Sequence, residues 1–264
     1  MRTGLILLSA AVAATPAAAE TRLKHHTPGV QEDEINTKAE VEPTVAAGTL
    51  LPWSIGARHE RQGILLGGYG GADLAKRAPV MAGTLDATLI DRVTLHATMT
   101  NVGMSNMLRP NVGLLVDVMR TEDTGVDLAV GGDYDIVGFN GVPAVVARTA
   151  IGANAGSLRL QGNAGFGLGL EQNERFGQVG ISGLTPVAKA LYVGIDSRAR
   201  MDLERDDMEP SGELDWDMQA GPVATLALGR FAVSATGGVS AWKQRTHDTA
   251  KVGAVGAIGV GAAF

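Results

Sequence analysis

The sequence predicts an all-β fold, an antiparallel up-and-down transmembrane β-barrel of about twelve strands. Three observations carry this. The chain ends Lys251-Val252-Gly253-Ala254-Val255-Gly256-Ala257-Ile258-Gly259-Val260-Gly261-Ala262-Ala263-Phe264, with larger apolar residues at every second position and no charge after Lys251. A period of two belongs to a strand, not a helix. Upstream, segments of similar length carry one apolar and one charged face. The connections between them alternate short and long, as an up-and-down barrel requires.

The first element is a leader. Met1-Arg2-Thr3 is a short basic start, Gly4 to Ala14 is uncharged and apolar, and Ala17-Ala18-Ala19 offers a small-residue cleavage site before Glu20. Residues 1–19 are expected to be a signal peptide removed after export by the Sec pathway. The apolar run is too short to span a bilayer as a helix. Residues 20–62 are different in kind. His25-His26-Thr27-Pro28-Gly29 and Gln31-Glu32-Asp33-Glu34 are polar without a period, which predicts a flexible periplasmic segment or a plug.

From residue 63 the barrel begins. Strands are expected near 64–75, 80–90, 92–101, 110–120, 125–136, 144–154, 157–170, 176–185, 190–204, 213–228, 231–243 and 251–264. Most match the roughly 9–11 residues that a tilted strand needs to cross a bilayer. In one segment Leu158, Leu160, Ala164, Phe166, Leu168 and Leu170 oppose Arg159, Gln161, Asn163 and three glycines. In another, Leu191, Val193, Ile195, Ala199, Met201 and Leu203 oppose Tyr192, Asp196, Arg198, Arg200, Asp202 and Glu204. A third sets Leu214, Trp216 and Met218 against Glu213, Asp215, Asp217 and Gln219. Tight turns are expected at Asp91-Arg92, Thr121 to Gly125, Ala155-Gly156, Thr185-Pro186 and Gly229-Arg230, and longer connections at every other position.

Composition narrows the function. The formal net charge is −6 at pH 7, and losing the leader removes one more positive charge, Arg2. That disfavours nucleic acid and anionic lipid as partners. The chain has no cysteine, which excludes a disulfide framework and a lipid anchor at the cleavage point. Its 36 glycines follow no three-residue repeat, which suits strands packed closely around an axis rather than collagen.

A terminal apolar strand ending on Phe264 resembles the closing strand of bacterial outer-membrane β-barrels, and the likeness covers roughly residues 63–264. It implies a place in the outer membrane of a Gram-negative cell envelope. It implies outer-membrane lipid as a partner, and the barrel-assembly machinery as a partner of the C-terminal strand. It brings no cofactor, metal or catalytic residue with it.

If the apolar face meets lipid, the polar face lines the lumen. The lumen-facing charged wall is then Asp127, Asp133, Asp135, Arg148, Arg159, Asp196, Arg198, Arg200, Asp202, Glu204, Asp215 and Asp217, with Asp73, Asp86, His96 and Asp117 on the same side. Arg198 and Arg200 are placed to pair with Asp215 and Asp217 across one hairpin. Such charges brace the strands as a salt-bridge lattice, or form the acidic wall of a small water-filled pore that favours cations. Phe231 and Phe264 are expected at the periplasmic membrane rim, Tyr134 and Trp216 at the outer rim.

The leading expectation is therefore a small porin or passive channel for small cations or solutes, not an enzyme. A second is a non-conducting structural or assembly barrel that binds a protein partner through its loops or N-terminal arm. A third is a surface hydrolase. Outer-membrane proteases of the omptin type resemble this architecture, and Thr246-His247-Asp248 with Asp206-Asp207 lies in the surface loops. In the omptin pattern one residue separates Asp from His; here they are adjacent. No GxSxG motif is present. Gly67-Gly68-Tyr69-Gly70-Gly71 lies within a strand and opens no helix, so it is no phosphate loop.

Overall fold

The computed structural model describes residues 63–90, 92–101, 109–120, 124–139, 141–171, 174–203, 214–246 and 248–264. The expected leader and arm lie outside the described residues. Twelve strands follow in order: β1 (Ile64–Asp73), β2 (Ala78–Ile90), β3 (Val93–Thr100), β4 (Arg109–Met119), β5 (Val126–Asp135), β6 (Ala144–Ala155), β7 (Leu158–Gly169), β8 (Arg175–Pro186), β9 (Leu191–Asp202), β10 (Leu214–Leu228), β11 (Phe231–Gln244) and β12 (Lys251–Ala263). Each strand pairs antiparallel with its neighbour in sequence, and β12 closes on β1. Closure is completed at the chain's end, where the Ile64 amide donates to the Phe264 carbonyl and the Phe264 amide returns a bond to Ile64. A closed sheet leaves no unpaired edge, which is the condition for strands in lipid.

The faces separate as the alternation predicts. Outward side chains such as Ile181, Ile195, Ile258 and Val260 are 60–64% exposed, an arrangement that suits hydrocarbon rather than water. Their inward neighbours, including Ser182, Asp196, Ala257 and Gly261, are buried. No helix among the described residues is long and apolar enough to cross a membrane.

Short turns gather at one end. Gly156 and Gly229 turn there with φ of +63° and +62°, values that glycine adopts without a Cβ clash. One position differs from expectation. β8 continues through Thr185-Pro186, so its turn falls at Val187–Ala190; the proline sits at the strand's last residue, where no ladder donor is lost. β1 and β2 are joined at the opposite end by only Leu74–Arg77, a tight turn at the end that otherwise carries the longer connections.

Candidate functional site

The lumen wall is built from the inward positions of β1 to β12, and two assemblies of its charged groups differ in how they connect the strands. The first runs along β2 to β6. His96 Nδ1 contacts Asp86 across the β2–β3 register. Asn111 Nδ2 donates to Asp135, its register partner on β5. Asp133 forms an ion pair with Arg148 of β6. Gly113 lies between His96 and Asp133 in the ladder, and a Cβ on it would collide with the Asp133 carboxylate. Glycine at 113 thus gives that carboxylate its place against the wall. Every pair here joins neighbouring strands.

The second assembly stands at the end with the longer connections. Asp73, the last residue of β1, accepts from Ser240 Oγ at 2.7 Å, Gln219 Nε2 at 3.0 Å and the Lys76 amide at 3.1 Å. Lys76 Nζ lies 2.8 Å from Asp217 Oδ2 and 4.0 Å from Asp73. Arg198 reaches Asp217 at 3.9 Å. Beside this network the Trp242 indole donates to the Ala75 carbonyl at 3.2 Å. Trp242, Leu214, Phe176, Phe139, Ala144 and Val146 form one buried apolar cluster, with Ala75 packed against it. Phe139 comes from the β5–β6 connection, held by Arg109, which donates to the carbonyls of Gly138 and Phe139 at 2.7 and 2.8 Å. Arg200 stacks over its ring at 5.8 Å.

The expected wall residues are placed as follows. Asp127, Asp133, Asp135, Arg148, Asp196 and Asp217 are buried on inward positions, and Asp196 is fully so. Arg159 is half-buried on β7. Arg200 bonds Gln178 at 3.3 Å, and Asp202 forms an ion pair with Arg245. Glu204 lies outside the described residues, as do Asp206, Asp207 and His247. Asp215 departs from the expected alternation. A bulge between Leu214 and Trp216 turns Leu214 into the buried cluster. It leaves Asp215 beside Lys243, at 2.9 Å, on the outward side. The hairpin pairing is accordingly narrower than expected: Asp217 takes Arg198, while Asp215 takes neither arginine. Phe231, Phe264 and Tyr134 are exposed, and Trp216 is half-buried.

Several wall groups escaped the sequence. Lys76, Arg109, Arg120 and Arg245 add cations to the interior network, Arg120 against Asp117 at 3.7 Å. They bring the wall closer to charge balance than the acidic list implied. Trp242 was signalled only by sharing even positions with Ser234, Thr236 and Ser240. Lys76 and Phe139 lie in connections, where no period exists to place them.

No family model matches the chain, and no curated protein matches it. Among solved structures it is similar to the NanC porin, with a TM-score of 0.55 at 7% identity, over 75% of this chain and 98% of that one. It also aligns with the outer-membrane channel DcaP of Acinetobacter baumannii, with a TM-score of 0.40 at 7% identity, over 76% of this chain and 71% of that one. At such identities the likeness is one of fold.

Proposed function

We propose that this chain is an outer-membrane channel of narrow bore, a small porin that passes small ionic solutes by diffusion. One observation carries the reading. Among the described residues, His96 Nε2, Ser182 Oγ, Gln219 Oε1 and Thr225 Oγ1 are buried inward-facing polar atoms without a protein partner. They stand on β3, β8 and β10, on well-separated parts of the wall. Polar groups left without a protein partner are costly in a dry interior, which supports reading this lining as one that meets water and solute when the path is open. The likeness in fold to the NanC porin supports the same reading, as do the apolar exterior and closed ladder. Export by Sec, insertion through the barrel-assembly machinery and the absence of catalysis belong to this proposal. Refolded mature protein in planar bilayers is expected to show discrete conductance steps with cation preference. Silence, both with and without residues 20–62, sinks the channel.

A second reading is favoured by the apolar cluster of Phe139, Phe176, Leu214 and Trp242 in the mouth. A barrel shut there permanently would be a structural or assembly component. A stable stoichiometric partner of a silent barrel would establish it.

A further inference from the structure

We infer that the β1–β2 turn, Leu74–Arg77, is a latch across the mouth of the lumen, and that its Lys76 sets the ion selectivity of the constriction. The inference rests on the channel reading and names its control point. In the wall, β1 and β10 are separated by β12 and β11. Register neighbours cannot span that gap, yet Lys76 reaches Asp217 of β10 at 2.8 Å. The contact exists because the turn folds inward. Its backbone rests on Gly253 so closely that a Cβ there would stand 2.6 Å from the Ala75 amide nitrogen. Trp242 holds the Ala75 carbonyl from the side. The turn ends on Arg77 with φ of +54°, a left-handed conformation that a non-glycine residue holds only when its surroundings impose it. From the other side of the mouth, the Phe139 connection meets the same apolar cluster. Two connections thus close over one point.

The chemistry at that point is specific. Asp73, Lys76 and Asp217 are 2%, 4% and 1% exposed at their side chains. Lys76 stands between the two carboxylates as a cation carried on a turn rather than on a strand. While it is seated, it offsets their charge and fills the passage. When the turn lifts, it carries the cation away and leaves Asp73 and Asp217 facing the path. A passage bared in this way attracts cations.

The test uses the full mature protein in planar bilayers under a KCl gradient. Lys76→Gln is expected to raise the mean current severalfold and to move the reversal potential toward the cation limit, because Asp73 and Asp217 then stay without the Lys76 charge whether the turn is seated or lifted. A second variant does not depend on removing a buried charge. Ala75→Cys with Gly253→Cys adds a cross-link to a chain without cysteine. A Cβ at residue 253 lies 3.1 Å from the Ala75 Cβ and 2.6 Å from the Ala75 amide nitrogen, closer than disulfide spacing. The turn must therefore shift to accept it, and the oxidised form is compared with its own reduced form rather than with wild type. The oxidised form is expected to hold the current at the closed level, and dithiothreitol to restore it. A silent wild type beside a conducting Lys76→Gln also supports the latch. Wild-type currents that Lys76→Gln leaves unchanged in size and reversal potential overturn the latch alone. So does an oxidised double variant that conducts like its reduced form. Silence of wild type, Lys76→Gln and the reduced double variant together overturns the channel reading and the latch with it.

Discussion

The two charged assemblies of the lumen use the same residue types in opposite ways. Along β2 to β6, His96 with Asp86, Asn111 with Asp135 and Asp133 with Arg148 all join adjacent strands. At the mouth, Asp73 reaches past one intervening strand to Ser240, and Asp73 and Lys76 reach past two to Gln219 and Asp217. A pair between neighbours adds to a ladder that backbone hydrogen bonds already hold. A pair across a gap has no ladder beneath it and can come apart without opening the wall. The first assembly therefore braces the barrel, and the second governs what passes. Substitutions in the one should change stability, and substitutions in the other should change current.

The largest effect is expected at Asp133→Ala. It leaves Arg148, 7% exposed, as a buried charge without its ion pair. Breaking a buried pair in this way costs about 3–5 kcal/mol. Urea unfolding of the refolded barrel, followed by tryptophan fluorescence, checks this. Conductance and reversal potential should stay near wild type wherever the variant is folded. Asp133→Ala combined with Arg148→Ala should recover much of the loss. A cost below about 1 kcal/mol in the single variant, in the range of solvent-screened pairs, would mean that water screens this assembly as thoroughly as a surface. The distinction between brace and gate would then lose its first half.

Ser240→Ala sharpens the second half. It deletes one hydrogen bond into the Asp73 carboxylate, and bonds to a charged group are worth about 1.5–3 kcal/mol. Part of that cost should be expressed as latch opening, so mean current should rise while the unfolding midpoint falls modestly. Trp242→Phe is smaller. The ring stays in the cluster and only the indole bond to the Ala75 carbonyl is lost, about 0.5–1.5 kcal/mol. Its mark should be more frequent opening events at unchanged conductance, read from single-channel dwell times.

The sequence announced the brace far better than the latch. In 125–136 Asp127, Asp133 and Asp135 share one parity against Leu128, Tyr134 and Ile136, and Arg148 is the one charge of 144–154, so parity places these groups on the wall before any coordinates exist. The longer connection between β5 and β6 returns the chain antiparallel, and the ladder sets Arg148 against Asp133. The latch offers no such pattern. Lys76 lies in a turn, where side-chain direction follows from local backbone rather than from a period. On β11 both faces carry small residues, Ala232, Ala235, Gly237, Gly238 and Ala241, so the inward parity of Trp242 is faint. Leu214 and Asp215 were misplaced for a third reason. A bulge adds one residue to a strand and reverses every assignment beyond it, and nothing in Glu213-Leu214-Asp215-Trp216 marks its position.

That bulge supplies the smallest and most exacting comparison. Asp215 and Asp217 are two residues apart, and an unbroken strand would place both in the lumen. Here Asp217 joins the latch while Asp215 pairs with Lys243 on the outward side, with side chains 36% and 28% exposed. Exposed ion pairs of this kind contribute about 0–1 kcal/mol, so Lys243→Ala should barely move the unfolding midpoint. It should also leave the reversal potential unchanged, because the carboxylate it bares faces away from the path. Lys76→Gln removes the same charge from a partner two positions along the same strand, and there the reversal potential should move. If Lys243→Ala shifts it equally, Asp215 stands in the lumen. The bulge would then not divide the two aspartates, and selectivity would belong to the wall as a whole rather than to the latch.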